Sequence, residues 1–213
     1  MLFRTLVLVV CFSVALPAAT IFLNSSDFGA AIATPLTDHY SPADGYPAGF
    51  GLYSNSAMTA FFGEAAYTTT GHSDNNIVSG ERYCAGCNGS FGLDFTSTSV
   101  GDSQGVFGVG LDITSNDAVL PYWAYITFGD DTGLSYGLAS GAGFFGVTDT
   151  RRIRTIHFGL SNGLPTTSGS FQIDNLTIGA EPTSVPEPSL VLPVALALAM
   201  LGLRCRRRRS SRT

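Results

Sequence analysis

The stretch Ser90-Phe91-Gly92-Leu93-Asp94-Phe95-Thr96, residues 90–96, alternates large apolar side chains with small or polar ones. Successive side chains of an extended chain point to opposite faces, so Phe91, Leu93 and Phe95 share one face. A period of two of this kind predicts a half-buried β-strand, with one side against a core and the other towards solvent.

The same alternation recurs on the C-terminal side of this stretch, at Phe107, Val109, Leu111 and Ile113. Residues 121–128 and 133–138 predict a hairpin, because the intervening segment 129–132 has the sequence Gly-Asp-Asp-Thr and supplies turn chemistry. Residues 152–158 and 171–178 are two further predicted strands, the second with a bulge at Asp174-Asn175.

Short strands separated by Gly, Asp and Ser turns predict an all-β fold. We expect an antiparallel two-sheet sandwich, like a jelly roll, over residues 20–180. Residues 24–80 contain Pro35, Pro42 and Pro47 among glycines and tyrosines, and they predict long loops with one or two short helices, around 56–64.

The N-terminus has the layout of a secretory signal peptide. Arg4 precedes an apolar run over 6–16, and small residues stand at Ala18 and Ala19. This arrangement predicts that residues 1–19 direct export and are then removed.

Residues 190–203 form a run of fourteen apolar residues near the C-terminus. As a helix it would span about 21 Å of a roughly 30 Å hydrocarbon layer. Clustered arginines follow directly, hold that end in the cytoplasm and can snorkel to lengthen the span. The pattern predicts a transmembrane helix over 190–203, a cytoplasmic tail over 204–213, and a membrane stop signal made of Arg204, Arg206, Arg207, Arg208 and Arg209.

Before that helix lies a linker, residues 181–189, containing Pro186, Glu187 and Pro188. The tripeptide, the apolar helix and the arginine cluster, in this order, resemble the PEP-CTERM sorting signal of exported bacterial proteins. The resemblance implies an exosortase-type processing enzyme as partner, an anchor in the membrane until processing, and a destination in the cell envelope or the extracellular polysaccharide matrix. The same C-terminal segment is carried by some ice-binding proteins, so it does not describe the body of the chain.

Charge separates the body from the tail. The chain has no lysine, six of its eleven arginines lie in the last ten residues, and all sixteen acidic residues lie between Asp27 and Glu187. Such an acidic body argues against nucleic acid as a partner. Its basic cluster of Arg151, Arg152 and Arg154 either pairs with nearby acids or contacts an anionic polysaccharide.

Cys84 and Cys87 are the cysteines of the predicted body. In an exported protein a CxxC pair most simply forms a local disulfide. The alternatives are a zinc site, for which His72 and His157 lack a supporting motif, a redox pair, and free thiols.

Two glycine motifs resemble catalytic or nucleotide-binding sequences. Residues 133–137 spell G-x-S-x-G around Ser135, but no helix is predicted after it, and the motif needs a strand-turn-helix setting. Residues 141–146 spell G-x-G-x-x-G, and a strand is expected after them instead of a phosphate-binding helix. We therefore expect no enzyme.

Carboxylates and aromatic residues are the remaining candidates. Asp130, Asp131 and Asp174 predict a calcium site, unless they are solvated surface acids. Alternation places Trp123 and Tyr125 on the face opposite Tyr122. If exposed, this pair would stack on sugar rings, and if buried it would belong to the core.

Three functions follow from these patterns. The first is an exported cell-surface or extracellular-matrix protein of structural or adhesive type. The second is a carbohydrate-binding module, with or without calcium. The third, a secreted hydrolase, would use Ser135 or paired carboxylates.

Overall fold

The computed structural model describes residues 19–183. The predicted sorting tripeptide, transmembrane helix and arginine-rich tail lie outside these residues, as does the predicted signal peptide apart from Ala19. The described part contains two α-helices, a 3-10 turn at Pro42–Asp44 and twelve strands: β1 (Thr20–Phe22), α1 (Ser25–Ala31), β2 (Ala33–Asp38), β3 (Gly51–Tyr53), α2 (Asn55–Phe62), β4 (Ala66–Thr69), β5 (Asn76–Val78), β6 (Tyr83–Ala85), β7 (Phe91–Asp94), β8 (Val106–Asn116), β9 (Trp123–Phe128), β10 (Gly133–Gly137), β11 (Gly143–Gly159) and β12 (Phe171–Ala180).

All strand pairs in this region are antiparallel, which confirms the predicted all-β class. The strands form one curled sheet with the order β10-β9-β11-β8-β12-β6-β5-β3. Four further pairings lie off this path, namely β1 with β11, β2 with β12, β4 with β7, and β7 with β11. Neither helix in residues 19–183 has the length and hydropathy that a membrane span requires.

Strand β11 joins the two parts of the curled sheet. Its first segment, 143–148, pairs with β8 and β1, and its last segment, 153–159, pairs with β9 and β7. Arg152, between these segments, has a φ of 67°, and the register with β9 shifts at the start of the last segment, between Ile153 and Thr155. A bulge bends a strand and increases its twist, so this irregularity carries the chain from one part of the sheet to the other.

Most strand predictions are confirmed. The opening stretch contains β7, whose Phe91 and Leu93 are buried, and Phe95 just beyond it is buried as well. The predicted hairpin is β9 and β10, and the predicted helix near 56–64 is α2. The expected bulge in β12 is present, with Asn175 at a φ of 49°.

The core is rich in aromatic residues. The Phe171 ring stacks on Tyr122 at 4.8 Å and lies 5.3 Å from Phe158, and Phe91 lies 5.1 Å from Phe158. All four side chains are fully buried, and burial of one such side chain contributes about 2 kcal/mol or more to stability. The cluster brings β7, β11 and β12 together around one core.

Glycines let helix α1 lie directly on the sheet. Gly110 and Gly146 are register partners on β8 and β11, and a Cβ at either position would come within 3 Å of the Phe28 ring. Gly108 and Gly179 make the same room for Ile32. Glycine inside a strand often marks such a close approach, and here it leaves the space in which α1 packs against the sheet.

Candidate functional site

Strand β9 presents aromatic side chains on its outer surface. Ala124, Ile126 and Phe128 are buried against the core, whereas Trp123 and Tyr125 are half-buried and point to the opposite side. Tyr122 is fully buried, on the face opposite Trp123 and Tyr125, which agrees with the predicted alternation of faces. The structure thus places the aromatic pair outside the core, the arrangement that stacking on a ligand would require.

The neighbouring strands extend this surface. Register pairs Tyr125 with Ser135 on β10 and with His157 on β11, and His157 with Gly92 on β7. Gly92 in turn pairs with Thr68 on β4. In the adjacent row, Trp123 lies between Gly137 and Gly159. We call this surface the β9 face; it consists of Trp123, Tyr125, Ser135, His157 and Thr68 with the glycines between them.

Both aromatic side chains are held in place by their neighbours. The Trp123 indole lies against Gly137, where a Cβ would come within 3.3 Å of the ring. The Tyr125 hydroxyl donates a hydrogen bond of 2.7 Å to the carbonyl of Leu160, and its ring lies against Gly163, which has a φ of 78°. A positive φ suits glycine, and a side chain there would crowd the tyrosine. The rings are therefore preorganised, which lowers the entropy cost of binding.

His157 is fixed by residues far away in the sequence. Its Nε2 atom lies 2.8 Å from the Oγ1 atom of Thr70, which donates a hydrogen bond of 2.9 Å to Ser90. The imidazole centroid lies 6.3 Å from that of Tyr125. Burial lowers the pKa of His157, so the ring is neutral at pH 7.

Ser135 does not lie in a nucleophile elbow. It lies in the middle of β10, as expected, and Tyr125 stands between it and His157 in the cross-strand row. Two strand spacings separate Ser135 from His157, about 10 Å. A serine nucleophile needs its base within hydrogen-bond reach.

The second glycine motif lies at the start of a strand. Gly141 has a φ of 85° and forms a turn, and β11 begins at Gly143. The expected strand after this motif is confirmed.

The three predicted calcium ligands do not come together. Asp130 accepts hydrogen bonds from Thr132, and Asp131 pairs with Arg154. Asp174 lies on β12, where burial raises the pKa of its carboxyl. No group of three or more His, Cys, Asp or Glu within residues 19–183 is arranged to hold a metal ion. Asp130 and Asp131 lie in the β9–β10 turn and Asp174 lies on β12, so the three do not form one carboxylate cluster, and calcium binding by backbone carbonyls with one or two of them stays a prediction.

The cysteine pair agrees with the simplest expectation. The sulfur atoms of Cys84 and Cys87 lie within bonding distance, and their Cα atoms are 4.6 Å apart. The two histidines weighed as zinc ligands have other partners. The Nε2 atom of His72 lies 2.8 Å from the Oδ1 atom of Asn88, and His157 bonds to Thr70.

The three clustered arginines all pair with acids. Arg151 makes two bonds to the buried Asp149, with Nε at 2.9 Å and Nη2 at 2.6 Å. Arg152 lies 3.4 Å from Glu181, and Arg154 pairs with Asp131. Of the two alternatives for this cluster, the structure shows internal pairing.

A buried carboxylate outside the β9 face was not anticipated from the sequence. Asp38 is fully buried at the end of β2, where it accepts hydrogen bonds from Tyr46, Tyr67 and the backbone N–H of Tyr40. Its partners are uncharged, and burial raises the pKa of its carboxyl. None of these hydrogen-bond partners belongs to the β9 face, so we assign Asp38 to stability.

No protein-family model matches the chain, and no curated protein or solved structure matches it either.

Proposed function

We propose that the protein is an exported cell-surface or matrix protein of adhesive type, which binds extracellular polysaccharide through the β9 face. The observation that carries this proposal is the position of Trp123 and Tyr125. Both lie half-buried on the outer side of a sheet, held by neighbours, beside polar residues and glycines. Flat aromatic surfaces stack on the apolar faces of sugar rings, and adjacent polar groups bind the hydroxyls.

Binding, and not hydrolysis, is the role that the face supports. Ser135 lies two strands away from His157, and Asp130, Asp131 and Asp174 form no shared cluster in the described residues. The proposed binding is therefore independent of calcium. As scaffold we propose a jelly-roll-like sandwich, in which the two parts of the curled sheet joined by β11 act as its two layers.

Sorting through the C-terminus is the second part of the proposal. An exosortase-type enzyme would recognise Pro186, Glu187 and Pro188, and the apolar segment 190–203 would anchor the chain until processing. The arginines after this segment would keep its end in the cytoplasm. The mature body would then reside in the envelope or the extracellular matrix.

Affinity electrophoresis of the purified protein in gels containing polysaccharides tests the binding role. We expect at least one polymer to retard the protein, and Trp123→Ala to abolish the retardation. Phe50→Ala is the matched control, because Phe50 is an aromatic residue that is 66% exposed outside the β9 face. If Trp123→Ala and Phe50→Ala are retarded equally, the β9 face is not the binding surface.

The intact mass of the protein recovered outside the cells tests the sorting role. We expect a mass that lacks residues 190–213 and the signal peptide. A chain that keeps residues 190–213 would show that the tail is a permanent anchor and that the proposed processing does not occur.

A further inference from the structure

The charge around the β9 face restricts the class of polysaccharide that it can bind. Five strands form this surface, β4, β7, β9, β10 and β11, and in them the basic side chains are Arg151, Arg152 and Arg154, all on β11. Each already pairs with an acid, and Arg151 also lies 3.9 Å from the Phe128 ring centroid. An anionic polymer would find no free cation on these strands, and it would meet the carboxylate of Asp94 on β7. The electrostatics favour an uncharged ligand.

The hydrogen bonds around His157 determine which ring nitrogen carries the proton. Ser90 Oγ accepts from the backbone N–H of Thr166 and directs its own hydrogen towards the Thr166 carbonyl. With Thr70 donating its single hydroxyl hydrogen to Ser90, Nε2–H is the donor in the contact between His157 and Thr70. In the neutral ring, Nδ1 is then a hydrogen-bond acceptor, and it has no hydrogen-bond partner within residues 19–183.

The position of Nδ1 places this acceptor beside the tryptophan. A Cβ at Gly159 would lie 3.2 Å from Nδ1, and Gly159 is the register partner of Trp123. Gly159 is itself buried, and the same Cβ position lies 3.0 Å from the Leu164 carbonyl, so this edge of the imidazole is bordered by the backbone of the 160–164 loop and not by a side chain. An aromatic surface and a fixed acceptor therefore occupy neighbouring positions on one rigid sheet.

We infer that the ligand of the β9 face is a neutral polysaccharide, with a sugar ring on Trp123 and one sugar hydroxyl donated to Nδ1 of His157. This inference rests on the proposed binding function. It adds the class of ligand and a residue that determines specificity. Thr70 and Ser90 act as positioning residues, because they fix the tautomer and the orientation of the imidazole.

Trp123 is the single tryptophan of the chain, so its fluorescence reports directly on this face. The purified protein is titrated with neutral polymers (dextran, laminarin and mannan) and with anionic polymers (dextran sulfate and alginate). We expect a saturable change in fluorescence with at least one neutral polymer and none with the anionic ones. Binding of the anionic polymers alone would overturn the inference and leave the binding function standing. No change in fluorescence with any polymer would overturn both the inferred ligand class and the proposed binding function.

The role of His157 is tested with His157→Gln. The glutamine amide reaches about as far as Nε2, so it keeps the bond to Thr70 but removes the acceptor at Nδ1. We expect binding of the neutral polymer to weaken about fivefold to tenfold, the value of one hydrogen bond. The matched control His39→Gln alters an exposed histidine and should bind like the unmodified protein. A second variant, Thr70→Val, keeps the imidazole but removes the hydroxyl that fixes its tautomer. It should weaken binding less than His157→Gln does. Unchanged binding by both His157→Gln and Thr70→Val would overturn the role of Nδ1.

Discussion

The hydroxyl of Tyr46 donates a hydrogen bond of 2.7 Å to the carboxylate of Asp38, and both residues are buried. Tyr67 donates to the same oxygen at 3.2 Å, and the backbone N–H of Tyr40 donates to the other at 3.0 Å. The carboxylate thus has three donors, none of them charged. Loss of water outweighs these bonds, so burial raises the pKa of Asp38 above its ordinary value of 3.8.

Asp38 should make the protein less stable as pH rises. A carboxyl whose pKa is raised by folding holds its proton more tightly in the folded state, so its stabilising contribution is complete below pH 3.8 and is lost as pH rises through the folded pKa. Asp38→Asn removes this titration. We expect the free energy of unfolding, measured by urea denaturation from pH 3.5 to pH 8, to fall less with rising pH in the variant than in the unmodified protein. Parallel curves would show that Asp38 does not titrate in this range.

Asp117 should show the opposite dependence. It accepts hydrogen bonds from the backbone N–H groups of Val119 and Leu120, and these bonds lower the pKa of its carboxyl. Its contribution to stability is therefore present above pH 3.8 and is lost as pH falls through the lower folded pKa. Asp117→Asn, in urea experiments extended below pH 3.5, should flatten the acid side of the curve. A change of the same sign in both variants would contradict this assignment.

Helix α1 packs closely against glycines of the sheet, so one added methyl group there should lower the stability of the protein strongly. A Cβ at Gly110 would lie 2.6 Å from Cε1 of Phe28, closer than packed atoms allow. Gly110→Ala must displace the phenylalanine, and we expect a loss of about 1–3 kcal/mol in thermal or urea unfolding. Gly143→Ala is the matched control, because a Cβ at Gly143 meets nothing within 4 Å. Equal stability of the two variants would show that Phe28 of α1 does not pack closely against Gly110.

The sequence predicted the parts of this fold that depend on local patterns. Alternation at Phe91 and Leu93 identified β7, and the acidic turn at Asp130-Asp131 identified the hairpin of β9 and β10. The same alternation predicted that Trp123 and Tyr125 share a face. It did not decide whether that face is covered, because coverage depends on which strands lie next to each other.

Long-range contacts account for what the sequence did not predict. Thr70 and His157 are 87 residues apart and meet only because β7 pairs with both β4 and β11. Asp38 gave no sign of burial, since its tyrosine partners come from separate loops and strands. For the related reason the sequence did not show that Asp174 lies apart from Asp130 and Asp131 as a cluster, since residues on different strands need a known sheet order before they can be placed together.

The ion pair between Arg151 and Asp149 should be important for stability. The Asp149 side chain is fully buried, and its two oxygens accept from Arg151 at 2.6 and 2.9 Å. Asp149→Asn leaves the guanidinium without its counter-charge, and we expect a loss of about 2–4 kcal/mol in urea unfolding. Arg152→Gln breaks the exposed pair with Glu181 and should change stability by less than about 1 kcal/mol. If both variants lose the same stability, burial of Asp149 does not distinguish the two pairs.

At the bulge of β12, Asn175 contributes a side-chain hydrogen bond and also adopts a positive φ, and two variants separate these contributions. Asn175 has a φ of 49°, and its Nδ2 atom donates a hydrogen bond of 2.7 Å to Asp112 on β8. Asn175→Gly removes the bond but accepts the positive φ, so we expect a loss of about 1 kcal/mol in urea unfolding. Asn175→Ala also places a Cβ in the left-handed region, which costs about 1 kcal/mol more. The difference between the alanine and glycine variants therefore measures the backbone strain of alanine, less the entropy that glycine adds to the unfolded chain. An alanine variant as stable as the glycine variant would show that the strand straightens and that the bulge depends on the asparagine.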